Sequence, residues 1–437
     1  MGLPSLNDLI AAIATPPGKG AIGIVRVSGA GALELVSRLW AGTNPTRLAG
    51  GRFTYGKICD PSTQEILDEA LLLVFRKPHS YTGQDSAELH THGSPAVLRK
   101  VLQTLFELGA RPAQPGEFTL RAYLNGKMDL AQAESVLSLV ESESDAARRQ
   151  ALRGLSAGLS EKIQHLSEPL FNLLAHIQAW LDYPEEGVEA AAIRATLEPV
   201  LQEIQHLLAT APAGRIAHKG ARIALVGAPN AGKSSLLNAL LGYERAIVTP
   251  IPGTTRDYLE APLEIAGVPI VAIDTAGVRE TTDLVEKSGV ERALQIAQEA
   301  DLVLYLADQS QPTSPPPALP WARTLRVATK ADLPPAWQDE TFAAVSSQTG
   351  LGLQELRQQI HTRLLGQAPE GEIWISNERH VEALRRAEAH LQEALQAPED
   401  LAGVSIESAL DALAEILGLD VSEEVVDRVF RNFCVGK

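Results

Sequence analysis

The sequence predicts a multidomain chain. An α+β N-terminal domain covers 1–120, an all-α helical domain is split between 121–217 and 371–437, and an α/β domain over 218–370 is inserted into it. Three observations carry this. Short β-rich runs at 22–27 and 71–75 mix with helical patterns and the turn residues Pro16, Pro17 and Gly18 up to about residue 120. Beyond it, Leu152, Leu155, Leu159, Ile163, Leu166, Leu170, Leu173 and Ile177 recur every three or four residues, the spacing of one helix face. From Arg222 the pattern switches to strands alternating with helical or loop segments, as in a doubly wound sheet.

The elements follow in order. The leucine-rich period predicts one long helix that stops near Asp182-Tyr183-Pro184, because proline disfavours helix in the residue before it. A second amphipathic stretch runs over 193–208. Strands are expected at 223–226, 269–273, 301–307 and 324–328, with a proline-dominated surface loop over 311–320. Helical periodicity returns in Val381, Leu384, Leu391 and Leu395, and again in Leu410, Leu413, Ile416 and Leu417.

Composition narrows the function classes. At 437 residues, 45% hydrophobic and 21% charged, this is a globular chain with room for about three domains. Its 38 basic and 54 acidic residues give a net charge of −16, which argues against gripping nucleic acid by phosphate neutralisation alone. Two cysteines, Cys59 and Cys434, are too few for a disulfide framework, so a reducing cytoplasm is expected. No leader pattern and no apolar run of spanning length is apparent, and membrane insertion is set aside.

The chemistry concentrates in the α/β domain. Gly227-Ala228-Pro229-Asn230-Ala231-Gly232-Lys233-Ser234 follows an apolar strand and precedes a helix, the setting of a phosphate-binding loop. Lys233 is placed to reach the β- and γ-phosphates, and the Ser234 hydroxyl to bind Mg²⁺. Asp274-Thr275-Ala276-Gly277 closes another strand, with Asp274 holding Mg²⁺ through water and the Gly277 amide sensing the γ-phosphate. Thr255, in Thr254-Thr255-Arg256-Asp257, supplies a second Mg²⁺ hydroxyl. Thr329-Lys330-Ala331-Asp332 supplies base specificity, since Asp332 accepts from the guanine N1 and N2 donors that adenine lacks. Asparagine usually stands at Thr329, and its absence predicts the loss of an amide contact to the base edge and the P-loop. Ser346-Ser347-Gln348 matches the last guanine-contacting loop. The reading is a Ras-like P-loop GTPase domain. Val278 stands where Ras-like enzymes place a water-orienting glutamine, and the residues alone leave Glu280, Asp283 and Glu286 as equal substitutes.

Outside these motifs stand Ala14-Thr15-Pro16-Pro17-Gly18, Gly23-Ile24-Val25-Arg26-Val27-Ser28-Gly29, Tyr81-Thr82-Gly83, His92-Gly93, Pro115-Gly116-Glu117-Phe118-Thr119, Asn125-Gly126-Lys127-Met128-Asp129-Leu130 and the terminus Phe433-Cys434-Val435-Gly436-Lys437. With them the chain resembles, end to end, the MnmE (TrmE) family of tRNA-modifying GTPases. The resemblance implies an N-terminal domain that forms the homodimer and binds a 5,10-methylene- or 5-formyl-tetrahydrofolate type ligand through Arg26, Glu88, Lys127 and Lys437. It implies a potassium ion on Asn230, Thr249, Ile251 and Thr254, although Asn230 serving only to shape its loop is the equal alternative on residues alone. It selects Glu286 as the water-orienting acid. Nucleotide contacts carry over to Asn230, Ala231, Gly232, Lys233, Ser234 and Ser235, to Thr249, Pro250, Ile251, Pro252, Gly253, Thr254 and Thr255, to Asp274, Thr275, Ala276 and Gly277, and to Thr329, Lys330, Asp332, Ser346, Ser347 and Gln348. It also implies a heterotetramer with the FAD-binding partner MnmG, which adds an aminomethyl or carboxymethylaminomethyl group to C5 of the wobble uridine of tRNA. Cys434 stands either as a nucleophile near the folate site or as a small packing group.

Overall fold

A computed structural model describes residues 8–182, 193–243, 259–265, 267–274, 294–312, 316–366, 371–419 and 421–437. The chain packs as two compact units, one of Met1–Leu137, Leu155–Gln164 and Leu413–Lys437, the other of Ser138–Gly154 and His165–Ala412.

The first unit is built on seven strands: β1 (Ile10–Ile13), β2 (Ile22–Ser28), β3 (Trp40–Ala41), β4 (Arg52–Cys59), β5 (Ile66–Phe75), β6 (Ser86–His92) and β7 (Arg111–Pro112). Their order is β3-β4-β5-β6-β2-β1-β7, antiparallel except for the β1–β7 pair. The period of two sorts β2 cleanly: Val25 and Val27 are fully buried, while Arg26 between them points to the opposite face. On the core face, Val25, Val27, Leu72, Val74, Ala87 and Leu89 pack with Leu33, Leu35 and Val36 of helix Ala32–Ser37 and Leu98, Val101 and Leu105 of helix Pro95–Glu107. A second cluster joins Leu120, Leu130, Ala133 and Val136 to Val426, Phe430 and Phe433, so the last residues of the chain pack beside helix Glu117–Leu124.

The expected long helix is two, Asp145–Leu155 and Gly158–Asp182. Ala157 breaks it with φ +63°, a left-handed conformation that ends a helix. Leu152 fits the period but is 39% exposed, because spacing says nothing about a residue that reverses the backbone between two matching stretches.

The second unit contains a six-stranded sheet: β8 (Ala221–Gly227), β9 (Leu259–Ile265), β10 (Val268–Asp274), β11 (Leu302–Asp308), β12 (Thr324–Thr329) and β13 (Ala343–Ala344), in the order β13-β12-β11-β8-β10-β9. All pairs are parallel except β9–β10. Strand β9 is absent from the sequence expectation, since Leu259-Glu260-Ala261-Pro262-Leu263-Glu264-Ile265 contains a proline, which is tolerated here because β9 is an edge strand. Residues Ile223–Val226 of β8 and Leu302–Leu306 of β11 are almost wholly buried, as both faces of a parallel sheet require. Among the described residues, no helix is long and apolar enough to cross a membrane.

Candidate functional site

Strands β8, β10 and β12 run parallel, so their carboxyl ends lie along one edge of the sheet, where open α/β sheets bind ligands. Gly227 ends β8, Asp274 ends β10 and Thr329 ends β12. Gly227 has to be glycine, because a Cβ there would lie 2.4 Å from Leu306 O. The loop turns through Asn230 at φ +61° and Gly232 at φ +88° into helix Lys233–Tyr243. Asparagine tolerates that left-handed backbone better than most residues, which gives the loop-shaping reading of Asn230 a geometric basis. Lys233 is buried and its ammonium donates to Gly227 O at 2.7 Å and Ala228 O at 2.9 Å, folded back over the loop it would cover phosphates from.

The loops expected to read the base are tied to this loop and to each other. The Thr329 hydroxyl donates to Ala231 O at 2.7 Å, so the expected loss of the P-loop contact does not occur: a hydroxyl replaces the amide. Lys330, at φ +59°, pairs with Asp308 Oδ2 at 2.6 Å. Burial pushes the Asp308 carboxyl up, but its bonds to Lys330 and Ser310 outweigh this and hold it below the usual value. The buried Ser346 hydroxyl donates to Asp332 Oδ1 at 2.6 Å, orienting the carboxylate. Sequence reasoning missed Asp308, although it closes an apolar strand just as Asp274 does. It also missed the Ser346–Asp332 bond, for which no local signal exists. Thr249, Pro250, Ile251, Pro252, Gly253, Thr254, Thr255, Thr275, Ala276, Gly277 and Glu286 lie outside the described residues, as do Val278, Glu280 and Asp283.

The first unit assembles a second polar site on the sheet face opposite the helices. Arg26 and Glu88 are register partners on β2 and β6. The Arg26 guanidinium contacts Glu88 Oε1 through Nε and Nη2, both at 2.9 Å, and His90 Nε2 lies 3.1 Å from Glu88 Oε2. Arg26 also sits over the rings of Tyr81 (5.8 Å) and Phe118 (5.5 Å) and donates to Gly436 O at 3.1 Å. Tyr81 and Phe118 belong to the sequence signatures, but their stacking on Arg26 was not foreseen. Val435 bridges to Pro115, and Gly116 N donates to Cys434 O at 3.3 Å, which brings the chain terminus to this face. Burial and the neighbouring Arg26 push the Lys437 ammonium down, with Cys434 opposing. Cys434 itself is exposed, and its packing-group reading therefore loses support. Lys127 Nζ donates to Pro78 O at 3.0 Å. Beneath the site, Glu117 and Arg121 are wholly buried and joined to Asp8 and Arg111 in a four-member charge network.

Comparison with known proteins agrees along the whole chain. Residues 9–127 match the family described as GTP-binding protein TrmE N-terminus, and residues 130–434 match the MnmE helical domain. A tRNA modification GTPase MnmE of Thermus thermophilus is 64% identical over 433 residues, covering 99% of this chain and 100% of that one. The protein of the same name from Chloroflexus aurantiacus is 43% identical over 457 residues, again covering 99% and 100%. Among solved structures, the G domain of the T. maritima FeoB iron transporter aligns with 33% of this chain and 98% of its own, at 26% identity and a TM-score of 0.23.

Proposed function

The chain belongs to the MnmE family of tRNA modification GTPases and is a GTP hydrolase acting in tRNA modification; from that premise we propose the finer chemistry and the residues that perform it. GTP binds along the carboxyl edge of β8, β10 and β12. The observation that carries this reading is that P-loop and base-reading loops are joined there by Thr329 on Ala231 and Ser346 on Asp332. Lys233 and the N–H groups opening its helix face the phosphates. Mg²⁺ is the metal such a site uses, and Ser234, Thr255 and, through water, Asp274 are its proposed holders. Asn230, Thr249, Ile251 and Thr254 would hold potassium, whose charge beside the phosphates supplies what an arginine finger supplies elsewhere. Glu286 orients the attacking water. The domain division at 120, 217 and 370 belongs to the same proposal.

On the first unit, Arg26, Glu88, Lys127 and Lys437 would bind a one-carbon tetrahydrofolate. The donor set fits: a carboxylate accepts from the pterin's amide and amino donors, and cations suit its glutamate. Cys434 stands exposed at the end of the same tail as a candidate nucleophile. Beside this site, Phe53, Tyr55 and Leu71 are 70%, 63% and 40% exposed, and the register places Tyr55 opposite Leu71 on one face of β4 and β5. Such an uncovered apolar face supports a homodimer. With an FAD-binding MnmG partner in a cytoplasmic heterotetramer, the protein would add a carboxymethylaminomethyl or aminomethyl group to C5 of the wobble uridine. The partner then supplies much of the tRNA grip, in keeping with a net charge of −16. Analysis of tRNA nucleosides from a deletion strain, with and without this chain restored, tests it: wobble uridines unchanged by the deletion would sink the proposal.

A further inference from the structure

Thr329 is where this site departs from the usual GTPase pattern, and its hydrogen bonding has a chemical consequence for how the base is read. Threonine carries one hydroxyl proton. Two main-chain carbonyls compete for it, Ala231 O at 2.7 Å and Ala307 O at 3.2 Å. The residue is 2% exposed, and turning the hydroxyl away would strip a buried acceptor of its partner. Its β-branched side chain has few rotamers to choose from and lies against Gly232, 3.6–3.8 Å from where a Cβ would stand. Guanine's other edge presents N7 and O6, both acceptors. An asparagine amide has two protons, one for the P-loop carbonyl and one for N7; threonine has none left over.

We propose that this site does not read guanine N7. Thr329 commits its proton to tethering the base loop to the P-loop, and discrimination falls on the Asp332 carboxylate, held by the Ser346 hydroxyl at 2.6 Å against the N1 and N2 donors. The ligand class is thereby widened to guanine nucleotides altered at position 7. This deepens the proposed nucleotide site and rests on it.

The test measures binding of GTP, 7-deaza-GTP and XTP, with Mg²⁺, to the full-length protein and to its Thr329→Asn and Asp332→Asn variants. The wild type is expected to bind GTP and 7-deaza-GTP within about twofold of each other. Thr329→Asn, which restores a donor for N7, should favour GTP over 7-deaza-GTP by about 3- to 10-fold, the worth of one neutral hydrogen bond. A wild type that binds 7-deaza-GTP several-fold more weakly overturns the proposal, and so does a Thr329→Asn protein that binds the two alike. Asp332→Asn checks the premise separately: if it does not shift preference from GTP towards XTP, the guanine site itself is misplaced, whatever the 7-deaza result.

Discussion

Replacing Glu117 by glutamine should loosen the first unit strongly, although the change is isosteric. The Glu117 carboxylate is wholly buried and accepts from Arg111 at 2.8 and 2.6 Å, from Arg121 at 2.9 and 3.3 Å, and from Gln114 N at 2.9 Å. Asp8 closes the network on the other side, at 2.6 Å from Arg111 and 2.5 Å from Arg121. Two cations and two anions balance. Glutamine keeps the shape but turns an NH₂ towards guanidinium donors and leaves one positive charge uncompensated beside the buried Arg121. Breaking such a pair from one side costs about 3–5 kcal/mol. At 1.36 kcal/mol per decade, local opening should rise by roughly 10²- to 10³-fold or more. Amide hydrogen exchange read by mass spectrometry on peptides spanning 8–13, 80–92 and 111–125 measures this directly, with peptides of the second unit as the internal control. Glu117→Gln combined with Arg111→Met should recover part of the loss, since removing both charges spares the desolvation penalty. Burial pushes the Glu117 carboxyl up, but Arg111, Gln114 N–H and Arg121 outweigh it and hold it below its ordinary 4.5. A carboxylate depressed in the folded state contributes fully above that ordinary value and loses its contribution as pH falls through the folded one. The difference between wild type and variant should therefore be constant at about pH 6–8 and narrow below about pH 4.5. Exchange in Glu117→Gln within about threefold of wild type at neutral pH would refute the reasoning.

Three further outcomes are expected. Ser346→Ala removes a 2.6 Å bond to the Asp332 carboxylate and should weaken GTP binding by about tenfold, the scale of a hydrogen bond to a charged group; titration with a fluorescent GTP analogue checks it. Lys233→Ala should lower GTP turnover by at least about 10²-fold, and near-normal turnover in a phosphate-release assay would remove Lys233 from the phosphate site. Gly436→Ala places a Cβ 2.5 Å from Ile13 O at a φ of +97°, so the tail should leave Arg26, and tetrahydrofolate affinity by calorimetry should fall at least about tenfold.

Legibility followed the range of the forces involved. The P-loop was readable because a few adjacent residues, Gly227 to Ser234, impose their own backbone path and present a helix N-terminus. The strands β8, β11 and β12 were readable because burial on both faces leaves short apolar runs. The split at Ala157 was not readable, since one left-handed residue leaves the leucine period intact on either side. Strand β9 was hidden by its proline, which only its edge position makes harmless.

The sequence by itself determined the class of chemistry, a phosphate loop in a GTPase, and supplied the residues on which the proposed guanine and folate contacts rest. The tertiary structure alone decided how those parts are held. It set Arg26 against the carbonyl of Gly436, 410 residues away, and brought the Thr329 hydroxyl to the carbonyl of Ala231, 98 residues before it. Motifs are written in neighbours, whose backbone constraints act within a few residues. A hydrogen bond across hundreds of residues exists only once the pleat of β2 has turned Arg26 away from the core and the packing of Phe430 and Phe433 has carried the chain end to meet it.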